Sequence, residues 1–311
     1  MLIEGSYPYI HYRLSFGKID QIAETIKKCC LGNYDNFEEK IRSSENKKII
    51  KDLLNYVPYR LISVFFKNQL KNIPDHKKNQ KIKEFALEQF DKIKPIYKII
   101  NDEKIILHKQ WIEYFCENYK IVKAWADWEW MQYLQQKNPN VPAISQKLYP
   151  PPERLNLKKQ TEYWKQIIIN WDKYDKKGKL KCIYSSDILD KDYKFSLDHF
   201  LPWSFVGHNQ LWNLIPVKPE ANISKSDSLP SDIYLDDFID VQYRGLSFSK
   251  EILGVARWEK EVECFVFDLH INNYNDLLDK EKLREKYENT LRPLFQIAEN
   301  MGFEKDWQYK N

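Results

Sequence analysis

Asp198 and His199 stand side by side in the stretch SLDHFLPWSFVGHNQLWNLIPV. Asn213 follows fourteen positions after the histidine, Asn222 nine positions after that, and Lys225 three further on. These residue types share a chemistry. An imidazole, with an unperturbed pKa near 6.5, can take a proton from water at neutral pH. One carboxylate and one amide oxygen are an adequate protein contribution to a hard divalent cation, which keeps several of its waters. Such a cation offsets the charge that builds on a phosphate and its leaving oxygen during phosphodiester hydrolysis. On this reading His199 and Asn213 form the catalytic pair, the histidine as general base and the asparagine holding the loop that aims it. Asp198 and Asn222 are the metal ligands, and Lys225 contacts a phosphate oxygen. The competing reading is an ordinary buried Asp–His couple, which is the better explanation of His199 taken alone.

The elements that would position these residues are legible in outline. KFSLDHF and LWNLIPV read as two short strands joined by a long loop, and PEANISKSD reads as a helix with Pro219 in its first turn. Asp198 and His199 then end the first strand, Asn213 starts the second, and Asn222 lies early in the helix packed across them. The rest reads as helix. IDQIAETIKKCC carries an apolar stripe at Ile19, Ile22, Ile26 and Cys29 or Cys30. VPYRLISVFFKNQL reads as a well-buried helix, and residues 80–100 and 108–135 show similar periodicity. Five prolines between Pro139 and Pro152 mark a connector. Helices are expected at about 157–173, at 249–264 and through LDKEKLREKYENTLRPLFQIAENMG.

The segment resembles the HNH (ββα-metal) nuclease motif. The family's first histidine corresponds to His199, its central asparagine to Asn213 and its last metal-binding position to Asn222. The run Asp198, His199, Pro202, Asn213, Asn222, Lys225, Ser226, Asp227, Pro230 is similar to the HNH domain of RNA-guided CRISPR nucleases. Colicin-type DNases share the nine-residue interval but carry a further histidine where this chain has Ser226, so a three-ligand zinc-type site is not expected. The resemblance implies one Mg²⁺ or Mn²⁺, 5′-phosphate and 3′-hydroxyl products, and usually a DNA substrate. Many relatives bind a structural zinc through C-x-x-C pairs. Cys182 stands alone here, with Ser185 at the second place, so no structural zinc is expected. Leu197, Phe200, Leu214, Ile215 and Val217 would hold the hairpin by packing instead. The resemblance covers about residues 182–230.

The expected fold class is mainly α with a small α+β insert: a helical N-terminal domain plus a ββα-metal nuclease unit flanked by helices. Residues 1–150 form the helical domain, for sensing, partner binding or DNA binding. Residues 151–235 form the nuclease domain, and residues 236–311 a helical segment packing on it. The net charge of +4 permits nucleic acid without arguing for it, because local clustering matters more. Lys173, Lys176, Lys177, Lys179 and Lys181 precede the motif. Lys177, Lys179 and Lys181, with His208 in the loop, are candidate DNA contacts. A second cluster, Lys67 to Lys83, reads as a solvated surface. Trp125 and Trp128 have helical spacing and read as core.

Five scattered cysteines fit a reducing compartment. No secretory signal and no membrane-spanning run is visible, so a cytoplasmic protein is expected. The expected activity is a metal-dependent DNA endonuclease serving restriction or anti-phage defence, with a partner such as an ATPase engaging the helical domain. The alternative is a catalytically silent HNH-fold module for nucleic-acid binding or scaffolding. Oligomeric state is not readable from the sequence.

Overall fold

The computed structural model describes residues 2–17, 20–30, 36–46, 49–50, 57–100, 104–149, 156–175, 178–190 and 194–310. Ile19, Lys176, Lys177, Lys191 and Asp192 lie outside them. The chain divides into two compact units, one made of 1–10 and 15–137, the other of 11–14 and 138–311. It is mainly α-helical with two small antiparallel hairpins.

The first unit carries α1 (Leu2–Tyr12) apart from its last two residues, α2 (Gln21–Cys30), α3 (Phe37–Arg42), α4 (Val57–Ile62), α5 (Asp75–Glu88), α6 (Phe90–Ile93), the hairpin β1 (Tyr97–Ile100) and β2 (Lys104–Leu107), and α7 (Lys109–Lys137). The C-terminal part of the α2 stripe faces inward, with Ile26, Cys29 and Cys30 packed on Ile41, whereas Ile22 is exposed. A second cluster joins Ile62, Phe66 and Leu70 to Ile82, Ala86, Tyr97 and Ile99.

Three expectations fail in this unit. VPYRLISVFFKNQL is not one well-buried helix. It is α4 followed by a 3₁₀ turn at Ser63–Phe66, with Val57, Leu61 and Val64 exposed. Residues 80–100 do not form one helix either, because α6 ends at Lys94 in the left-handed region and Tyr97–Ile100 turns into a strand. The β-branched run of isoleucines on both sides favours that hairpin. Trp125 and Trp128 are not core: they are 63% and 54% exposed, and Leu134 is the buried residue of α7. Apolar residues occur on more than one face of that helix, and one face is all the unit covers.

The second unit carries α8 (Ile144–Leu148), α9 (Lys158–Tyr174), β3 (Ser196–His199), α10 (Trp203–Val206), β4 (Leu214–Val217), α11 (Pro219–Lys225), α12 (Leu235–Leu253), α13 (Val255–Asp268) and α14 (Lys280–Asn300). One large core joins α9 to α14. Helices α9 and α12 pack so closely that a Cβ on Gly245 would meet the Trp164 ring at 2.9 Å. The hairpin pairs Asp198 with Ile215 and His199 with Leu214. Leu197, Phe200, Leu214, Ile215 and Val217 are all buried. Phe200 stacks on Phe238 of α12 at 4.0 Å and meets Phe295 of α14 edge-on. Buried Gln242 of α12 donates to the carbonyls of Leu211 and Leu214, and Tyr287 of α14 donates to that of Trp212. Trp212 donates to Asp268 at 2.6 Å. The helices after the hairpin therefore satisfy the polar backbone where β4 begins.

Candidate active site

The site is built at the end of β3. Leu197, Asp198 and His199, with Pro202 and Trp203 after the strand and Asn222, Ser226 and Asp227 from α11 and its C-terminal turn, line a groove of about 490 Å³. Three of the four expected central residues thus converge on one opening.

Asn213 is fully buried and does not line the groove. Its Oδ1 accepts the Leu201 N–H at 2.8 Å, and its Nδ2 donates to the Leu201 carbonyl at 2.9 Å. Its own carbonyl accepts the Phe200 N–H. It clamps the chain immediately after His199, so it is a positioning residue rather than a group that touches substrate.

His199 is 8% exposed, and its Nε2 lies 2.9 Å from Asn209 Oδ1. An amide oxygen only accepts, so this pairing suits the tautomer that carries its proton on Nε2. Asn209 contacts the candidate base, and the sequence gives no sign of it. It sits next to His208, which was chosen because histidine bears chemistry. An asparagine inside a polar loop carries no comparable signal.

Asp198 is 2% exposed. Its Oδ1 receives Lys225 Nζ at 3.1 Å, and its Oδ2 receives the Tyr184 hydroxyl at 2.7 Å. Burial pushes its carboxyl above the ordinary aspartate value, opposed by the Lys225 ammonium and the Tyr184 hydrogen bond. Tyr184 was also missed. It is seated edge-on against Tyr234 and Trp307, with ring centres 4.9 and 5.0 Å away.

Lys225 corrects an expectation. It is fully buried, and its ammonium donates to Asp198 and, at 2.7 Å, to the His199 carbonyl. It faces the protein, braces the Asp–His pair, and is not presented to a phosphate. The period of a seven-residue helix, α11, turns Lys225 inward with Ala221.

Asn222 donates through Nδ2 to Ser196 Oγ at 3.1 Å and to the Leu197 carbonyl at 3.3 Å. Among the described residues no hydrogen bond reaches its Oδ1, which leaves an acceptor at the groove for a cation. The Asp198 carboxylate accepts from Lys225, from Tyr184 and from the His199 backbone N–H, which leaves one of its roughly four lone-pair sites. An all-oxygen set of one carboxylate and one amide fits Mg²⁺ or Mn²⁺. Among the described residues no group of three or more His, Cys, Asp or Glu is placed to hold a metal. Cys182 is buried, and its Sγ accepts the Lys218 N–H at 3.3 Å.

The remaining candidates lie elsewhere. Lys179 and Lys181 line a separate groove with Asp237, Asp240 and Arg244, not the one at His199. Lys177 is outside the described residues. His208 does not line the active groove. Its ring lies 5.4 Å from Trp212, and burial lowers its pKa, opposed by Asp268 and reinforced by Lys147.

The described unit runs strand, loop, strand, helix, with Asp198 and His199 at the end of the first strand and Asn222 on the helix, the order expected of a ββα-metal unit. Residues 182–231 match the family model described as HNH endonuclease, so this segment is similar to that family. The match supports a nuclease activity, and hence a hydrolase acting on nucleic acid. No curated protein matches the chain, and no solved structure does. Among the described residues no helix is long and apolar enough to cross a membrane.

Proposed function

We propose that the protein is a metal-dependent HNH endonuclease that hydrolyses phosphodiester bonds in DNA, leaving a 5′-phosphate and a 3′-hydroxyl. The observation that carries this reading is the convergence of Asp198, His199 and Asn222 on one groove. His199 takes the proton of the attacking water. Asn209 holds the ring through Nε2, and Asn213 holds the loop that follows it. Lys225 and Tyr184 hold the Asp198 carboxylate in place. Asp198 and Asn222 are the residues that would hold Mg²⁺ or Mn²⁺. When bound, that ion supplies charge neutralisation at the phosphate and the leaving oxygen.

Plasmid cleavage with added Mg²⁺ or Mn²⁺ tests the assignment. His199→Ala is expected to lose activity by roughly 10²-fold or more, and equal cutting by that variant would remove His199 from the mechanism. The biological reading is an effector of restriction or anti-phage defence in the cytoplasm. Residues 1–150 would sense the trigger or engage an ATPase-type partner, and the exposed Trp125 and Trp128 of α7 support a protein-binding role there.

One observation favours the catalytically silent module instead: both Asp198 oxygens are engaged by Lys225 and Tyr184 in a nearly inaccessible site. Calorimetric titration with Mn²⁺ separates the two. Binding that disappears in Asp198→Asn and Asn222→Ala supports the enzyme, and its absence in the wild type supports the silent module.

A further inference from the structure

Residues 11–14 belong to the same compact unit as the HNH domain, although about 170 positions of chain lie between them and its start. Tyr12 and Leu14 are buried on either side of Arg13, at 6% and 0% exposure. Arg13 itself has a φ of 55°, the left-handed region that a side chain with a Cβ enters at a cost. Its guanidinium lies 4.0 Å from the centre of the Phe303 ring. The Asp227 carboxylate acts on it electrostatically. Asp227 lines the groove together with Asp198, His199 and Asn222.

The guanidinium carries five N–H donors. No hydrogen bond or ion pair engages them among the described residues. Two anchored neighbours, a strained backbone and an aromatic platform therefore hold a half-buried, uncommitted cation beside the groove. A planar fork of donors matches the oxygens of a phosphate, and stacking on an aromatic face leaves that fork free to bind in its own plane.

We propose that Arg13 is a phosphate-binding residue of this groove, taking a backbone phosphate of the DNA on the Asp227 side of His199. The nucleic-acid substrate rests on the HNH reading, but the residue and its role do not need cutting to be observed. Arg13 binds and positions; it performs no proton transfer. Asp227 competes for the same guanidinium, so its removal acts in the opposite direction.

The test is binding of a short fluorescent DNA duplex, and of its single strand, by the full chain in buffer with chelator at stepped salt concentrations. Arg13→Gln is expected to weaken binding about tenfold and to lower the slope of log K against log salt by about one phosphate. Arg13→Lys keeps the charge and loses the fork, so it should fall between. Asp227→Asn should tighten binding. With Mg²⁺ and DNA varied through saturation, Arg13→Gln should raise KM more than it lowers kcat. A thermal melt of each variant accompanies the titrations. Wild-type affinity and slope in a folded Arg13→Gln overturn the proposal. So does a lowered melting temperature with unchanged binding, which would make Arg13 a stacking partner of Phe303 only. Absence of DNA binding by the wild type overturns it as well. Arg13-dependent binding by a wild type that never cuts leaves this proposal standing and removes the nuclease reading. Cutting with Arg13-independent binding does the reverse.

Discussion

The described residues contain two antiparallel hairpins with strands of four residues, and they are treated differently. In β1–β2 every residue of the second strand is exposed, and the first alternates buried and half-buried. In β3–β4 every residue but Ser196 is buried. Backbone pairing is equivalent in the two, so pairing is not what makes a site. An isolated two-stranded hairpin is marginal in water. β3–β4 is covered by α11 against β3 and α12 against β4, with the Phe200–Phe238 stack beneath. That cover lets a carboxylate, an ammonium and an imidazole be held dry and in one arrangement. β1–β2 has no such cover on β2, and no charged pair is buried in it.

The contrast should break hardest at Lys225. Lys225→Met leaves the Asp198 carboxylate buried beside an apolar group, at a cost of about 3–5 kcal/mol. Denaturant melts near neutral pH read this directly, and the loss should shrink as pH falls and Asp198 protonates. Unchanged stability at neutral pH would mean that the pair does not hold the hairpin. Next in size is Asn213→Ala. It leaves the N–H and carbonyl of buried Leu201 without partners, worth about 3 kcal/mol by the same measurement.

A pH effect comes third. Lys147 is 1% exposed, and its ammonium donates to the carbonyls of Pro142 and of Phe205, the latter at 2.5 Å, so it ties α8 to the loop between β3 and β4. Burial pushes its pKa down from 10.5 to about 7. The unfolded chain therefore binds more protons than the folded protein between those values, and stability rises with pH across that window. The penalty is present in full below about pH 7 and fades towards 10.5. Between pH 7 and 9 the wild type should gain about 2 kcal/mol, and Lys147→Met should lose that gain. Equal pH profiles would place the Lys147 ammonium in contact with water. The smallest effect belongs to the other hairpin: Ile106→Thr on exposed β2 should change stability by less than about 0.5 kcal/mol. A loss near that of Asn213→Ala would show that β2 is covered in solution.

Much of the site was legible because its signals are local or are intervals along the chain. The short apolar runs KFSLDHF and LWNLIPV, the proline opening α11, and the spacing from His199 to Asn213 to Asn222 need no knowledge of packing. They yield the strand–loop–strand–helix order and the three groove residues. The helices at α7, α9 and α14 follow from apolar periodicity in the same way. Partner choice was not legible. Lys225 has the composition of a phosphate contact, yet α11 turns it beneath Asp198. Tyr184 and Asn209, which hold Asp198 and His199, have no motif, and an aromatic cluster and a loop conformation bring them in. Trp125 and Trp128 share their spacing with core tryptophans, and only the absence of a facing element leaves them exposed.

The sequence by itself determined the order of elements and the chemical types available at the groove, because backbone preference and interval are properties of neighbouring residues. The tertiary structure decided which of those groups face the groove and which face one another. Burial raises the cost of an unpaired charge, and that cost depends on elements far along the chain.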